Sequence, residues 1–416
     1  MRIIHCADLH LDSRLQTHLN REKAKMRRDE LLRNFERLAE YASGNGVEVI
    51  LISGDLFDTD TVSALAANTV LAVIAAHPRI RFYYLRGNHD TGDCLARLTG
   101  SRRMESRAEN KSTKEQSSRN NTESGWNPPA NLFFFGSRWK TYPEGKNGLI
   151  AISGVELTRE NSASAHAALR LDPERFNIVM LHGQTESGGV MAGREGPLSG
   201  GIRSGDPDVS AADTGGTGTI SLRALRGKGI DYLALGHIHS WKTDRLDSRG
   251  IFCYPGCLEG RGFDECGEHG FALLEIDENG RLTGHRFIPF AQRTLYALQA
   301  DVTGCMTTAQ ITEKIRDKIQ KEGCTSKDMA DVTLCGELDV DCEKDTGYIA
   351  SALSSYFFFA RLRDRTSLRI NLGDYLYDES LRGEFVRRVM ADDSVGDSEK
   401  IEVIRLGFKA MDGEEL

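Results

Sequence analysis

VEVILISGDLFD, residues 47 to 58, runs through Val, Ile and Leu almost without a polar break and then turns at Gly54 into Asp55 and Asp58. An unbroken apolar run of this length suits a strand buried on both faces, as in a sheet covered by helices. The same pattern, an apolar run closed at its C-terminal side by potential metal ligands, recurs in RIIHCADLH (2 to 10), IRFYYLRGNHD (80 to 90), FNIVMLHGQ (176 to 184) and IDYLALGHIH (230 to 239). Helices fall between some of the runs. Leu31, Leu32, Phe35, Leu38 and Ala39 predict one from Arg27 to Ala42, stopped at Gly44-Asn45-Gly46. Val62, Leu65, Thr69, Val70, Val73 and Ile74 predict a second, ended by His77-Pro78. Strand and helix in alternation argue for a layered α/β domain. In such sheets ligands gather beyond the carboxyl ends of the strands, where all five clusters fall.

The chain of 416 residues is long enough for two or three domains, and a hydrophobic fraction of 39% fills ordinary cores. A net charge of -8 means that the molecule as a whole does not attract polyanions, so any nucleic-acid contact has to be a local patch. The 9 cysteines are scattered without a C-x-x-C pair, which suits a reducing cytoplasm. Cys253 and Cys257 lack the second pair that a zinc site would need. The most apolar longer stretch, 63 to 77, is interrupted by Asn68 and Thr69 and is far short of the ~20 residues that span a bilayer. The opening MRIIHCADLH has no basic region followed by an apolar core, so a cytoplasmic location without membrane attachment is expected.

Residues 1–289 read as one α/β domain carrying two polar inserts, at 101–129 and 187–218. The character changes after Pro289. Residues 290–416 read as a smaller α/β domain, with strands at 293 to 302 and 331 to 337, helices at 308 to 320, 348 to 362 and 379 to 390, and a charged tail.

In an extended chain the side chains at i and i+2 point the same way, so Asp8 with His10, and His237 with His239, can each chelate. Asp55, Asn88 and His182, each beside a glycine, add a carboxylate, an amide oxygen and an imidazole. These candidate ligands are too many for one tetrahedral zinc. They suit two ions sharing a carboxylate, for which Asp55 is the candidate. Oxygen and imidazole without thiolate point to divalent manganese, iron, magnesium or zinc with no sharp choice among them, and manganese is the ion expected. A lone D-x-H or H-x-H is weak, and Gly-Asp after a strand is often only a turn; five such clusters in order are not easily supplied by chance.

DLH, GDLFD, GNHD, LHG and GHIH resemble the successive motifs of the calcineurin-like metallophosphoesterases, over roughly the first 240 residues. That resemblance implies a sandwich of two β-sheets flanked by helices, here followed by a C-terminal α/β capping domain. It assigns Asp8, His10, Asp55 and His239 to one metal, and Asp55, Asn88, His182 and His237 to the other. GDLFDT, GNHD and the YPG followed by GRGFDE (254 to 265) are similar to the SbcD-type DNA-repair nucleases, which work with an SMC-like coiled-coil ATPase. Asp58, where some relatives have His, and the long inserts depart from that pattern. They leave exonuclease against endonuclease action open.

His89 falls outside both ligand sets and suits a proton or hydrogen-bond donor to the phosphate or the leaving oxygen. Asp90 is the adjacent carboxylate that would keep it cationic, the alternative being a turn residue bonded to its own backbone. Arg14, Arg86, and Arg27 and Arg28 within REKAKMRR (21 to 28), are candidates for DNA phosphate contacts, though a solvated helix face explains that run equally well. The expected function is a two-metal DNA phosphodiesterase, with DNA and the ATPase as partners and a homodimer allowed. The rival readings are a phosphatase or phosphodiesterase for small nucleotides or phosphoproteins, and a catalytically silent scaffold.

Overall fold

The computed structural model describes residues 1–15, 19–58, 62–90, 128–186, 218–339, 342–369 and 372–411. The inserts, apart from their last residues 128, 129 and 218, lie outside the described residues. The chain divides into two units, Met1–Gln292 and Arg293–Leu416, where the sequence places the boundary at 289/290.

The first unit opens with strands β1 (Arg2–Cys6), β2 (Val49–Ser53), β3 (Arg81–Leu85) and β4 (Leu132–Phe134). Helix α1 (Arg21–Gly44) lies between β1 and β2, and α2 (Ala64–Ala76) between β2 and β3. There follow β5 (Lys140–Glu144), β6 (Ile150–Gly154), β7 (Phe176–His182), β8 (Tyr232–Gly236), β9 (Lys242–Arg245), β10 (Ile251–Tyr254), β11 (Gly270–Ile276) and β12 (Leu282–Pro289). Asn20 caps α1 by accepting from the Lys23 amide, so this helix starts a turn and a half before the apolar stripe that predicts it. Ser63 caps α2 in the same way.

Two six-stranded sheets result, in the orders β12-β11-β1-β2-β3-β4 and β5-β6-β7-β8-β10-β9. The central strands β1 to β4 run parallel, as do β6, β7, β8 and β10; antiparallel strands close the other edges. Alternation along each strand sorts its side chains between two cores. Ile3, Val49, Leu51 and Tyr83 face Ile152, Ile178, Met180 and Ala234 in the core between the sheets. Ile4, Cys6, Ile50, Ile52, Phe82 and Tyr84 turn the other way onto Leu31, Phe35, Leu38, Val70 and Ile74 of α1 and α2. Val179, Leu181, Leu233 and Leu235 meet Ala165 and Leu225 on the outer face of the second sheet. Layers of helix, sheet, sheet and helix are the expected sandwich. Fully burying each such aliphatic stabilises the fold by roughly 1.5–3 kcal/mol relative to exposure.

In the second unit β13 (Leu295–Asp301), β14 (Met329–Cys335) and β16 (Phe359–Asp364) form a parallel sheet in the order β13-β14-β16. The short β15 (Glu337–Asp339) pairs with β17 (Ser367–Arg369). Ile311, Ile315 and Ile319, one turn apart on the helix Thr308–Lys321, pack with Leu298, Ala300, Val332 and Leu334. Two expectations are corrected here. The helix expected over 348 to 362 ends at Leu353, because the aromatic run 356 to 359 leads into β16, where Phe359 to Asp364 find ladder partners on β14. The charged tail contains a helix, Asp397–Met411, whose Ile404 and Phe408 pack on Val386 and Tyr375. No helix among the described residues is long and apolar enough to cross a membrane.

Candidate metal centre

Asp8 and His10 leave β1, Asp55 leaves β2, Asn88 and His89 leave β3, His182 is the last residue of β7, and His237 and His239 leave β8. All lie at the carboxyl ends of central strands of both sheets. The i, i+2 pairs do not converge by strand alternation as expected. β1 ends at Cys6, and Asp8, His10, Asp55 and His237 sit at φ of 52, 45, 50 and 106°. Left-handed backbone is costly for these residues and persists only where neighbours enforce it. Amides of Asp8 and His10 donate to the Gly54 and Asp55 carbonyls, both at 3.0 Å, so the two loops hold each other's shape. The motif glycines are there for space. A Cβ on Gly54 would enter the His182 ring, and one on Gly87 would enter the Asp55 carboxylate.

The ligand atoms come together. One ring nitrogen or carboxylate oxygen from each of Asp8, His10 and His239 lies within 4.8 Å of the others, and the same holds for Asp8, Asp55 and His182. His182 Nε2 lies 2.9 Å from Asn88 Oδ1 and 3.3 Å from Asp55 Oδ2, and His237 Nδ1 lies 3.2 Å from the same Asn88 oxygen. Asp55 Oδ2 is also 4.0 Å from His10 Nε2, so it stands between the two groups. His10 Nε2 and His239 Nε2 face each other at 3.2 Å, while their outer Nδ1 atoms lie 2.9 Å from Asp58 Oδ1 and 2.6 Å from Glu265 Oε1. With the outer nitrogens turned to carboxylates, two lone pairs confront one another, an arrangement that a cation between them relieves. Carboxylate, amide and imidazole donors without a thiol fit divalent manganese, iron, magnesium or zinc. Asp8, His10, Asp55 and His239 would hold one such ion, and Asp55, Asn88, His182 and His237 a second.

Electrostatics agree with a site made for positive charge. Burial would raise the Asp55 carboxyl, but His182 and His10 beside it hold it well below the usual carboxylate range. Burial works against the His182 cation, yet Asp55 and Asp8 raise it to about 9. Burial lifts Asp8 to about 6 against the pull of His182 and His239. Burial lowers His10 to about 4, and burial with the nearby His182 lowers His237 to about 4. A divalent cation would displace the His182 proton, since imidazole ligates only when neutral.

Asp90 does not pair with His89. It is buried, and its carboxylate accepts the amides of Leu56 and Phe57 at 2.9 and 2.8 Å and of Gly87 at 3.2 Å. It pins the β2 and β3 loops together, and only the Gly87 bond is the local one of the turn reading. His89 instead has Nδ1 3.3 Å from the Asp58 carbonyl oxygen, and its ring meets the His10 ring edge-on at 5.0 Å. Arg27 is a second correction, being 1% exposed. It donates to Glu30, Glu259 and the Gly260 carbonyl at 2.8, 2.9 and 2.7 Å, so it cannot reach a DNA phosphate. Arg86 is held by Glu156 through two bonds of 2.7 and 2.6 Å. Arg14 is exposed, and Arg28 is half-buried beside Arg21, Glu22 and Lys25 at a shallow surface depression.

Three residues were missed as site residues by the sequence reading: Asp58, Arg261 and Glu265. The GRG and FDE stretches enter there only through their likeness to the SbcD-type nucleases, with no role given to Arg261 or Glu265. Arg261 donates to Asp58 Oδ1 at 2.6 Å and to Glu265 Oε1 at 2.9 Å. Burial opposes ionisation of Glu265, but His239 and Arg261 hold its carboxyl far below the usual range.

A family model described as calcineurin-like phosphoesterase matches residues 1–241. Among solved structures, TT1561 of Thermus thermophilus is 11% identical, with a TM-score of 0.37 over 69% of this chain and 98% of its own. A dimetal phosphatase from Danio rerio is 11% identical, with a TM-score of 0.35 over 66% of this chain and 92% of its own. No curated protein matches the chain.

Proposed function

The chain belongs to the calcineurin-like phosphoesterases, hydrolases of phosphoester bonds, and from that premise we propose that it is a two-metal DNA phosphodiesterase of DNA repair. The observation that carries the hydrolytic reading is the convergence of Asp8, His10, Asp55, Asn88, His182, His237 and His239 at the strand ends of both sheets. DNA as the substrate is supported by the likeness of GDLFDT, GNHD and GRGFDE to the SbcD-type nucleases. The same likeness supports an SMC-like ATPase partner and cutting by exonuclease or endonuclease action, while the oxygen and imidazole donors support manganese as the ion and the scattered cysteines a cytoplasmic location.

When bound, a pair of divalent cations activates a water at neutral pH and neutralises charge on the phosphoryl oxygens. The protein's own groups set the rest. The Asp58 carbonyl can only accept, so His89 Nδ1 carries a proton, and Nε2 gives one to the departing oxygen only when the ring is doubly protonated. Asp90, by fixing the amides of Leu56, Phe57 and Gly87, keeps the loop bearing His89 against the loop bearing Asp55. The His89 amide completes that link by donating to Asp55 Oδ1 at 2.8 Å.

The test is hydrolysis of end-labelled duplex and single-stranded DNA, a simple phosphodiester and a simple phosphomonoester by the full chain, across manganese, magnesium, iron and zinc. Cleavage of DNA and the diester is expected. Monoester turnover without any DNA cleavage would overturn the reading in favour of a phosphatase. His89→Asn should lower diester hydrolysis by about 10²–10⁴-fold while manganese still binds, as followed by calorimetry; unchanged turnover removes His89 from the mechanism.

A further inference from the structure

Arg261 stands outside the ligand cluster yet is joined to both histidines of one half of it. Its Nη1 donates to Asp58 Oδ1 at 2.6 Å and its Nη2 to Glu265 Oε1 at 2.9 Å. The same two oxygens lie beside the outer nitrogens of the histidines, Glu265 Oε1 in a hydrogen bond of 2.6 Å with His239 Nδ1 and Asp58 Oδ1 at an ion-pair distance of 2.9 Å from His10 Nδ1. The inner nitrogens of His10 and His239 then meet at 3.2 Å. Five side chains thus close a ring in which one guanidinium joins two carboxylates and each carboxylate aims one imidazole.

A carboxylate on the outer nitrogen fixes the tautomer and the ring orientation, and so presents the inner lone pair to a cation. Two carboxylates this close need a cation between them. A planar fork with donors at fixed angles fits the task where a single ammonium does not. Ser13 Oγ adds a bond of 2.8 Å to the other Asp58 oxygen.

The second half of the centre is built otherwise. His182 Nδ1 donates to the Ser53 carbonyl at 2.8 Å, so its outer partner is a neutral backbone oxygen. His182 and His237 converge on Asn88, a neutral amide. A neutral ligand with neutral support holds a divalent cation less firmly than imidazoles backed by carboxylates.

We infer that Arg261 is a positioning residue that, through Asp58 and Glu265, makes the His10 and His239 half of the centre the tighter of two divalent-cation positions. The half built from Asn88, His182 and His237 is the exchangeable one. This rests on the two-metal reading above.

The loop carrying Arg261 has anchors of its own. Glu259 is bonded to Arg27, to Asn34 Nδ2 at 2.6 Å and to the Gln292 amide at 2.7 Å. The Arg261 amide also donates to Glu265 Oε2 at 2.7 Å. Loss of the guanidinium leaves these in place.

The experiment is calorimetric titration of the metal-stripped full chain with manganese chloride. The wild-type protein should bind in two steps of unequal affinity. Arg261→Gln should weaken the tighter step roughly ten- to a hundredfold and the other by less than about threefold. It is titrated well below the thermal midpoint of the metal-free variant, which falls because Asp58 and Glu265 lose their shared cation. Glu265→Gln should weaken the same step, and Arg261→Lys should recover only part of the loss. An unchanged tight step, or equal weakening of both, overturns the inference. If Arg261→Gln fails to fold, Glu265→Gln and Asp58→Asn decide it, by weakening that one step or not. A wild-type protein that takes up no manganese overturns the proposed function and this inference together. One that binds two ions and cuts DNA, while Arg261→Gln titrates as wild type, removes the inference alone.

Discussion

Parallel strands build both units, and their ends are unlike. In the first, four ligands hold positive φ, each at a cost of roughly 1–3 kcal/mol. In the second, the turns leaving β13 and β14 use Gly304 at φ 77° and Gly336 at φ 100°, and among its described residues only glycine takes positive φ. The charges differ in the same sense. Asp331 on β14 is met by Arg361 and Arg363 from the neighbouring β16, at 2.5 and 2.8 Å, and is thereby neutralised. Asp8, Asp55 and the histidines of the first unit converge with lone pairs directed at one another. A parallel sheet offers strand ends; a site arises where packing holds strained backbone and converging ligand atoms in place.

The sharpest way to break this contrast is Asp55→Asn. It keeps an acceptor for the His89 amide and tolerates the left-handed backbone, but it removes the charge shared by the two ligand groups. Manganese uptake should fall to one ion or none in calorimetry, and diester hydrolysis should drop further than for His89→Asn. Two ions still bound with ordinary turnover would mean that the strain and convergence at β2 serve structure only.

Arg27→Ala should come next. It leaves Glu259 and Glu30 buried without their cation, at a cost of roughly 3–5 kcal/mol in urea denaturation. The salt dependence of DNA binding should keep its slope, because no phosphate contact is lost. A shallower slope would restore Arg27 to the DNA surface.

The smallest effect belongs to Ile311→Ala in the second unit, whose side chain is fully buried. A loss of roughly 2–5 kcal/mol is expected there, with both manganese steps of the first unit unmoved. A changed titration would show that the ligand centre depends on the packing of the second unit.

The strands, their order along the chain and the ligand types were legible because local pattern carries them. Val49 to Ser53 and Phe176 to His182 are short unbroken apolar runs of the kind that suits a buried strand, and a glycine beside an acid or imidazole marks where the backbone turns. The helix Asp397–Met411 was not read from the sequence, where Ile401, Ile404 and Phe408 at helical spacing alternate with charges; the partners that bury Ile404 and Phe408, Val386 and Tyr375 with Phe385 and Val389 beside them, lie outside the helix. The run 356 to 359 read as helix because its strand character depends on a partner, β14, that lies elsewhere in the chain.

By itself, then, the sequence determined a layered α/β fold with metal-ligating side chains at successive strand ends, since strand burial and ligand chemistry are properties of short stretches. Only the tertiary structure decided what the charged residues around them do. Arg27 lies in the basic run REKAKMRR, and Arg261 lies among the acids of LEGRGFDE. One became a buried bolt through Glu259, 232 residues away, and the other joined Asp58, 203 residues away, to the support of His10 and His239. An arginine's role depends on which anion meets it and how much water is excluded there, and both are set by packing between distant segments.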